Sequence, residues 1–274
     1  MGSQSYTNSF ATIYDDVMKI VPYYSWYKYL KHILYYYDKN PKKIMELACG
    51  TGNMMKYFSD GADKIYGIDK SEDMLAIAQN KFSNNGNVKF FNTDMSRKIK
   101  YNNFDFIYSV FDSMNYILEF EELINVFENV YLNLIKEGIF VFDINTEYRL
   151  MDIGEGRKKL TGDNYTCYWK DIVDKENGKW IVELNIYLNR DDEIKNFTET
   201  HVETSYPLDK IKKGLLNTGF QHVDYFRSFT FNKGDPKNDR IHFVALKQKP
   251  EVSYLKQIMT KIKWNIISPF ISRF

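Results

Sequence analysis

The sequence predicts an α/β fold: a mainly parallel, seven-stranded sheet with helices on both faces, an antiparallel final hairpin, and an inserted antiparallel β meander. Three observations carry that prediction. Short apolar runs alternate with helical patterns from residue 42 to residue 145, as expected for parallel strands joined by crossover helices. The first of these runs ends in CGTGN and leads directly into a helical pattern, the outline of a strand, glycine loop and helix that cradles a ligand. From Glu147 to Tyr206 the alternation gives way to aromatic and β-branched stretches with turn residues between them.

A chain of 274 residues can bury a sizeable core as one domain with an elaboration. Lys and Arg number 37 against 36 Asp and Glu, a net charge of +1, which gives no reason to expect nucleic acid as a partner. Cys49 and Cys167 are the only cysteines. They make neither a disulfide framework nor a structural metal set, and the opening residues show no basic and apolar leader, so a reducing cytoplasm and no metal are expected. No apolar run approaches the roughly 18 residues of a spanning helix.

Residues 1–41 read as a helical cap. Phe10, Ile13, Tyr14, Val17 and Met18 recur at helical spacing, and Trp26, Leu30, Ile33 and Leu34 make a second stripe with Pro22 near its start. Two short helices of this kind can cap a sheet edge or fold over the C-terminal ends of the strands, where cofactors sit. For Tyr14, Tyr24 and Trp26 core packing and ligand contact both stay open.

Ile44 to Ala48 form the first strand, and Gly50 and Gly52 allow the sharp turn that follows. Asn53 to Phe58 open a helix, and KIYGID, the second strand, ends in Asp69. SEDMLAIAQNKF begins the next helix, with Ser71 as N-cap, Glu72 and Asp73 in the first turn, and Leu75, Ala78 and Phe82 on the buried face. Val88 to Phe91 and Phe104 to Val110 are the third and fourth strands; EFEELINVFENVYLNLI is an amphipathic helix, and IFVFDIN is the fifth strand. Three meander strands are expected in YTCYWKDIVD, KWIVELNIYL and IKNFTETHVETSY. A helix at 208–217, then HVDYFRSFTF and RIHFVALK across a glycine and proline loop, complete the sheet with a hairpin.

The tail, 249–274, places Val252, Leu255, Ile258, Met259 and Ile262 at helical spacing, with Pro269 near its end. Lys256, Lys261, Lys263 and Arg273 face a single acid, Glu251. The stripe is expected to pack on its own domain or on another subunit, making a homo-oligomer. The alternative is weak peripheral membrane contact with Trp264 and Phe270 at the interface.

Asp69 stands nineteen residues beyond Gly50, about where an acid meets a ribose in a Rossmann-like unit. A nicotinamide cofactor needs GxGxxG, but this loop is GTGNMM, with Met55 at the third glycine. Glu46 at the first strand end would repel a pyrophosphate, whereas it could attract an ammonium group or hold the loop by accepting from backbone N–H groups. A phosphate-free, zwitterionic nucleoside fits, and S-adenosylmethionine meets that description.

These residues resemble a known family. ELACGTGN with Asp69, Asp94 and FDSMNYI is similar to the motif series of class I S-adenosylmethionine-dependent methyltransferases, over about residues 8–248. YDDVM, VPYYSWYKYL, FDINTEYRL, ETHVETSY and DRIHFVALK resemble a bacterial small-molecule subgroup with a short β lid. The resemblance implies that 42–146 and 207–248 form the cofactor-binding domain, with 147–206 as lid. It implies that Glu46, Ala48, Gly50 and Gly52 lie against the methionine part, that Asp69 accepts from the ribose hydroxyls, and that Asp94 and Met95 meet adenine. Phe111 and Asp112 fall near the methyl position, with Tyr14 and Trp26 closing from the cap.

Methyl transfer is a displacement at carbon that needs no covalent nucleophile, so orientation and water exclusion can carry much of the rate. A hydroxyl or ammonium acceptor must lose a proton, work suited to histidine. His201, Asp112, Asn115 and Tyr116 are the catalytic candidates, with His201 as base; Glu199 and Glu203 would share its strand face. His32, His222 and His242 read as structural or exposed, and Cys49 as a tightly fitting small residue. Tyr24, Tyr168, Trp169 and Tyr187 are the substrate-binding candidates for a small apolar or cationic acceptor, although core packing explains them equally well. A noncatalytic cofactor-binding or regulatory module is the second reading, and RNA or protein methylation the third.

Overall fold

The computed structural model describes residues 8–99, 102–190 and 193–270. Arg273 and the other residues at both chain ends lie outside the described residues. The main sheet has seven strands in the order β10-β11-β5-β4-β1-β2-β3. They are β1 (Lys43–Leu47), β2 (Lys64–Asp69), β3 (Val88–Asn92), β4 (Phe104–Ser109), β5 (Leu134–Asn145), β10 (His222–Arg227) and β11 (Arg240–Leu246). Strands β1 to β5 pair in parallel, while β11 is antiparallel to both β5 and β10. The strand order reverses between β1 and β4, and ligands sit beyond the strand ends at such a switch point.

Both faces of the sheet are covered, which is why its strands are apolar on both sides. Helices α3 (Met55–Ser59) and α4 (Glu72–Lys81) follow β1 and β2, and α5 (Phe120–Asn133) and α7 (Leu208–Thr218) cover the opposite face. Ser71 caps α4 by accepting from the Met74 amide at 3.3 Å. The N-terminal segment corrects the sheet-edge expectation. Helix α1 (Asn8–Val17) runs under the lid, whereas α2 (Tyr23–Tyr36) lies on the sheet face, burying Trp26, Leu30, Ile33 and Leu34 in one cluster with Ile44, Tyr108, Val141 and Val244. A stripe that apolar is satisfied by a face, which offers more apolar surface than an edge.

The insertion is larger than three strands. It contains α6 (Glu147–Asp152) and a four-stranded antiparallel sheet of β6 (Gly156–Gly162), β7 (Tyr165–Asp174), β8 (Lys179–Arg190) and β9 (Glu193–Thr204). Strand β6, GRKKLTG, escapes sequence reading because it is an edge strand with one large apolar residue after three basic ones. Its inner neighbours Cys167, Val182, Leu184 and Ile186 pack with Phe10, Ala11 and Ile13 of α1 and Met74 of α4. The lid is thus held to the cradle through α1.

The tail forms α8 (Tyr254–Ile267), capped by Ser253, and it docks on protein as expected, but not through the expected stripe. Thr260 and Trp264 are buried while Leu255, Met259 and Ile262 are exposed. Trp264 donates to the Phe229 carbonyl at 2.8 Å, which places it in the core and away from any outer interface. The Phe270 side chain lies outside the described residues.

Candidate active site

The site is built around the loop after β1. Three residues there hold positive φ: Ala48 at 51°, Gly50 at 53° and Gly52 at 79°. The turn therefore runs back on itself and presents backbone to a cavity of about 190 Å³ lined by Glu46, Ala48, Gly50, Asp69, Asp94 and Met95. Gly52 is the exception among the predicted loop residues. A Cβ there would meet Phe82 Cε2 at 2.8 Å, so its lack of a side chain lets the loop pack on α4 and it does not line the cavity.

Asp69 holds the loop in shape. Its Oδ2 accepts from the Gly50 amide at 2.8 Å and its Oδ1 from the Ser71 amide at 2.9 Å. A carboxylate has about four lone-pair sites, so two ribose hydroxyls can be taken up without breaking this brace. Glu46, a candidate for the same bracing, is instead held by Tyr108, whose hydroxyl donates to Oε2 at 2.9 Å. Burial, with the Asp69 charge behind it, pushes the Glu46 carboxyl well above the ordinary range against the pull of that hydrogen bond. Burial likewise raises Asp69. Asp94 accepts from the Ser96 amide and hydroxyl through Oδ1, at 2.8 and 2.7 Å, capping its own turn while lining the cavity. Cys49 is buried and its thiol is pushed far up by burial, the state of an inert thiol.

The N-terminal cap contributes more than the predicted Tyr14. Asp15 accepts from the Thr51 hydroxyl at 2.6 Å and the Asn53 amide at 2.9 Å, and pairs with Lys81 at 2.5 Å. Burial opposes its charge, but hydrogen bonds from Lys81, Thr51 and Asn53 hold its pKa below the ordinary value. Asp16 turns the other way and accepts from the Tyr165 hydroxyl of the lid at 2.6 Å. The adjacent acids of YDDV therefore clasp loop and lid together. Sequence reading missed both acids, as well as Tyr23, which lines the cavity with its hydroxyl 3.2 Å from Asn53 Nδ2. YDDVM carries part of the resemblance, but nothing in its spacing assigns its two acids a partner.

A second cavity of about 800 Å³ lies under the lid. It shares Tyr14, Phe111 and Tyr116 with the first, and its other walls include Asp112, His201, Glu203, Trp169, Trp180 and Arg240. Glu199, His201 and Glu203 alternate on the buried face of β9. His201 Nδ1 is 3.5 Å from the Tyr116 hydroxyl and Nε2 is 3.5 Å from Glu199 Oε2. Asp171 fixes the aromatic wall by accepting from Trp169 Nε1 at 2.8 Å and Trp180 Nε1 at 3.2 Å. Trp180 and Asp171 had no signal beyond the general aromatic character of the lid.

Phe111 and Asp112 both hold left-handed φ, 62° and 55°, a conformation costing about 1–2 kcal/mol for a residue with a Cβ. It sets the Phe111 ring between Tyr23 and Trp26, with ring centroids at 5.1 and 4.5 Å. It also turns Asp112 toward Arg240 at 3.1 Å and Asn145 Nδ2 at 2.7 Å. With one contact on each oxygen, Asp112 is placed as a counter-charge of Arg240 in the wall of the second cavity. Arg240 also pairs with Asp143; burial, then the Asp112 charge, raises Asp143 to about 6 against the pull of Arg240. Burial and the Asp112 charge raise Glu203 well above the ordinary range.

Several expected site residues lie outside the cavity expected of them, and Asn115, Tyr24, Tyr168 and Tyr187 lie outside both linings. Asn115 is a latch: its amide donates to the carbonyls of Asn145 and Thr204 at 2.9 and 2.7 Å, and its oxygen accepts from the Asn145 amide at 2.9 Å. Trp26 backs Phe111 and faces the second cavity, not the cofactor cavity. Tyr24 and Tyr168 are 53% and 48% exposed, because α2 and β7 turn them outward, and Tyr187 packs edge-on against Tyr168. Of the four substrate-binding candidates, only Trp169 lines the chamber. Among the described residues no group of three or more His, Cys, Asp or Glu could hold a metal.

A family profile described as "Methyltransferase domain" matches residues 44–138. YqeM of Bacillus subtilis (strain 168), named provisionally as a methyltransferase, is 29% identical over 248 residues, covering 89% of this chain and 98% of YqeM. The crystal structure of an S-adenosylmethionine-dependent methyltransferase from Clostridium acetobutylicum ATCC 824 superposes with a TM-score of 0.76 at 26% identity, over 88% of this chain and 99% of that one. The sugar N-methyltransferase KedS8 from Streptoalloteichus sp ATCC 53650 shares the fold, with a TM-score of 0.71 at 17% identity, over 91% of this chain and 98% of KedS8. The similarity extends through cap, cradle and lid alike, and the cavity is rich in acids suited to a sulfonium and an ammonium group: the chain carries a methyltransferase domain over residues 44–138 and is an S-adenosylmethionine-dependent methyltransferase.

Proposed function

We propose that the enzyme methylates a nitrogen or oxygen of a small molecule held under the lid, with His201 accepting the proton that the acceptor loses. The observation that carries this reading is the junction of the two cavities at Tyr116, whose hydroxyl is 3.5 Å from His201 Nδ1. S-adenosylmethionine supplies a methyl group on a sulfonium. Glu46, Asp69, Asp94 and Met95 are the residues proposed to hold it, and Tyr14 and Phe111 stand where the two cavities meet. The chain's own work is then to orient the acceptor against Phe111 and the Trp169 and Trp180 wall, to exclude water, and to take the proton at His201 Nδ1. Glu199, at Nε2, favours the imidazolium that results.

A chamber lined by lid, cap and the 227–230 turn has room for a small acceptor, and the charge balance gives nucleic acid no broad footing. The proposed compartment is the cytoplasm, which suits two buried, unpaired thiols. The test is methyl-labelled cofactor offered to panels of amines, phenols and small acids, with RNA and protein as alternatives. His201→Asn is expected to lower turnover on the accepted substrate about 10²-fold or more while sparing cofactor affinity. Unchanged turnover and pH profile, with methyl transfer rate-limiting, would remove His201 from the mechanism.

A further inference from the structure

Helix α8 places its apolar residues on the wrong side for a helix that only packs on its own domain. Its docked side is narrow. Thr260 and Trp264 are buried, with the Trp264 ring 5.2 Å from Tyr29 and 4.7 Å from His32. The opposite side shows Leu255, Met259, Ile262 and Ile266 at 67%, 61%, 55% and 64% exposure, with Tyr254 at 77% beside them. Their spacing of four, three and four residues makes one continuous stripe along the helix. Single exposed apolar residues need no explanation, but a contiguous stripe does.

The charge around this stripe is mostly positive, with Asp38 as an acid beside it. Residues 252–270 contain Lys256, Lys261 and Lys263 and no acid. The neighbouring helix α2 adds Lys28 and Lys31, also without an acid. Lys256 pairs with Asp38, and Lys263 lies 5.9 Å from the half-exposed Tyr35 ring. A second copy meeting this face by two-fold symmetry would set lysines against lysines. An anionic lipid surface meets both features at once, taking the stripe into the headgroup boundary and the lysines against its charge.

We infer that α8 is a peripheral membrane anchor, its Leu255, Met259, Ile262 and Ile266 stripe seating on an anionic bilayer surface. Among the described residues no helix is long and apolar enough to cross a membrane, so the contact is one that lies on the surface. It is independent of the acceptor reading, though not remote from it. Trp264 holds the carbonyl of Phe229, and Phe229 belongs to the wall of the second cavity together with the 79%-exposed Ile20.

The test is co-sedimentation of the full chain with phosphatidylcholine vesicles, with and without phosphatidylglycerol. Binding is expected only with the anionic lipid and is expected to fall as salt is added. Leu255→Ser with Met259→Ser and Ile262→Ser is expected to reduce vesicle binding by at least about tenfold, because most of the buried apolar area is removed, at an unchanged melting temperature. Lys31→Glu with Lys263→Glu is expected to weaken binding to anionic vesicles alone. Failure of the full chain to sediment with anionic vesicles would overturn the proposal, as would binding indifferent to the serine substitutions. Light scattering that shows a dimer made monomeric by those substitutions would assign the stripe to a second copy instead.

Discussion

The cofactor cradle and the lid chamber meet at Tyr14, Phe111 and Tyr116, yet they are built on opposite plans. Most of the cradle is made by short segments at consecutive strand ends. Backbone geometry and a few carboxylates fix it, with the Asp69 brace on Gly50 as its centre. The chamber is assembled from pieces far apart in sequence: α1, the end of β4, all four lid strands and the turn between β10 and β11. His201 and Glu203 stand on β9, an edge strand of a sheet that reaches the domain through α1 and the Asn115 latch. A cofactor common to many reactions suits a rigid cradle at a switch point. An acceptor that differs from enzyme to enzyme suits an inserted lid, whose sequence can change without disturbing that cradle.

Separating the two regions by mutation gives the largest expected effects. Against the turnover loss expected of His201→Asn, Asp69→Ala is expected to cost about 1–3 kcal/mol of cofactor affinity by leaving ribose hydroxyls and two loop amides without their acceptor. Calorimetry with S-adenosylmethionine and its demethylated product measures it. If the two variants had the same signature, the division between cradle and chamber would fail.

The clasp joining the regions gives an intermediate effect. Asp15→Ala removes the acceptor for Thr51, Asn53 and Lys81, and cofactor affinity is expected to fall by about 1 kcal/mol, as for a lost hydrogen-bond partner. Asp16→Ala, which unties only Tyr165 of the lid and the exposed Lys19, is expected to raise the KM of the acceptor without moving cofactor affinity. Equal effects on both ligands would show one rigid body in place of two clasped ones.

The pH response sharpens the contrast further. Asp143, beside the chamber, is raised from 3.8 to about 6, burial being the first cause. The folded protein therefore holds this proton more tightly than the unfolded chain does. That contribution to stability is complete below about pH 4 and is lost as pH rises through about 6. Melting temperatures of the wild type and Asp143→Asn, taken from about pH 4 to 7, are expected to differ in slope within that window. Parallel curves would refute it. The smallest effect belongs to the outward-facing aromatics: Tyr24→Ala and Tyr168→Ala are expected to change acceptor kinetics by less than about twofold, as surface substitutions do, and a larger change in a panel assay would extend the chamber to the lid exterior.

The sequence by itself determined the parallel sheet, the closing hairpin, the loop at Gly50 and the acids Asp69 and Asp94, because strand and helix periodicity and turn chemistry are local properties. It also set the alternation that puts Glu199, His201 and Glu203 on one face of a strand. Tertiary structure decided which face is inward, and thereby turned Trp169 into the chamber while leaving Tyr168 in solvent. It made Asn115 a latch and gave Asp112 to Arg240, 128 residues away. It divided the acids of YDDV between loop and lid. It docked α8 through Trp264 and left its apolar stripe exposed. Each of these outcomes depends on a partner distant in the chain, and a side chain's type does not name that partner.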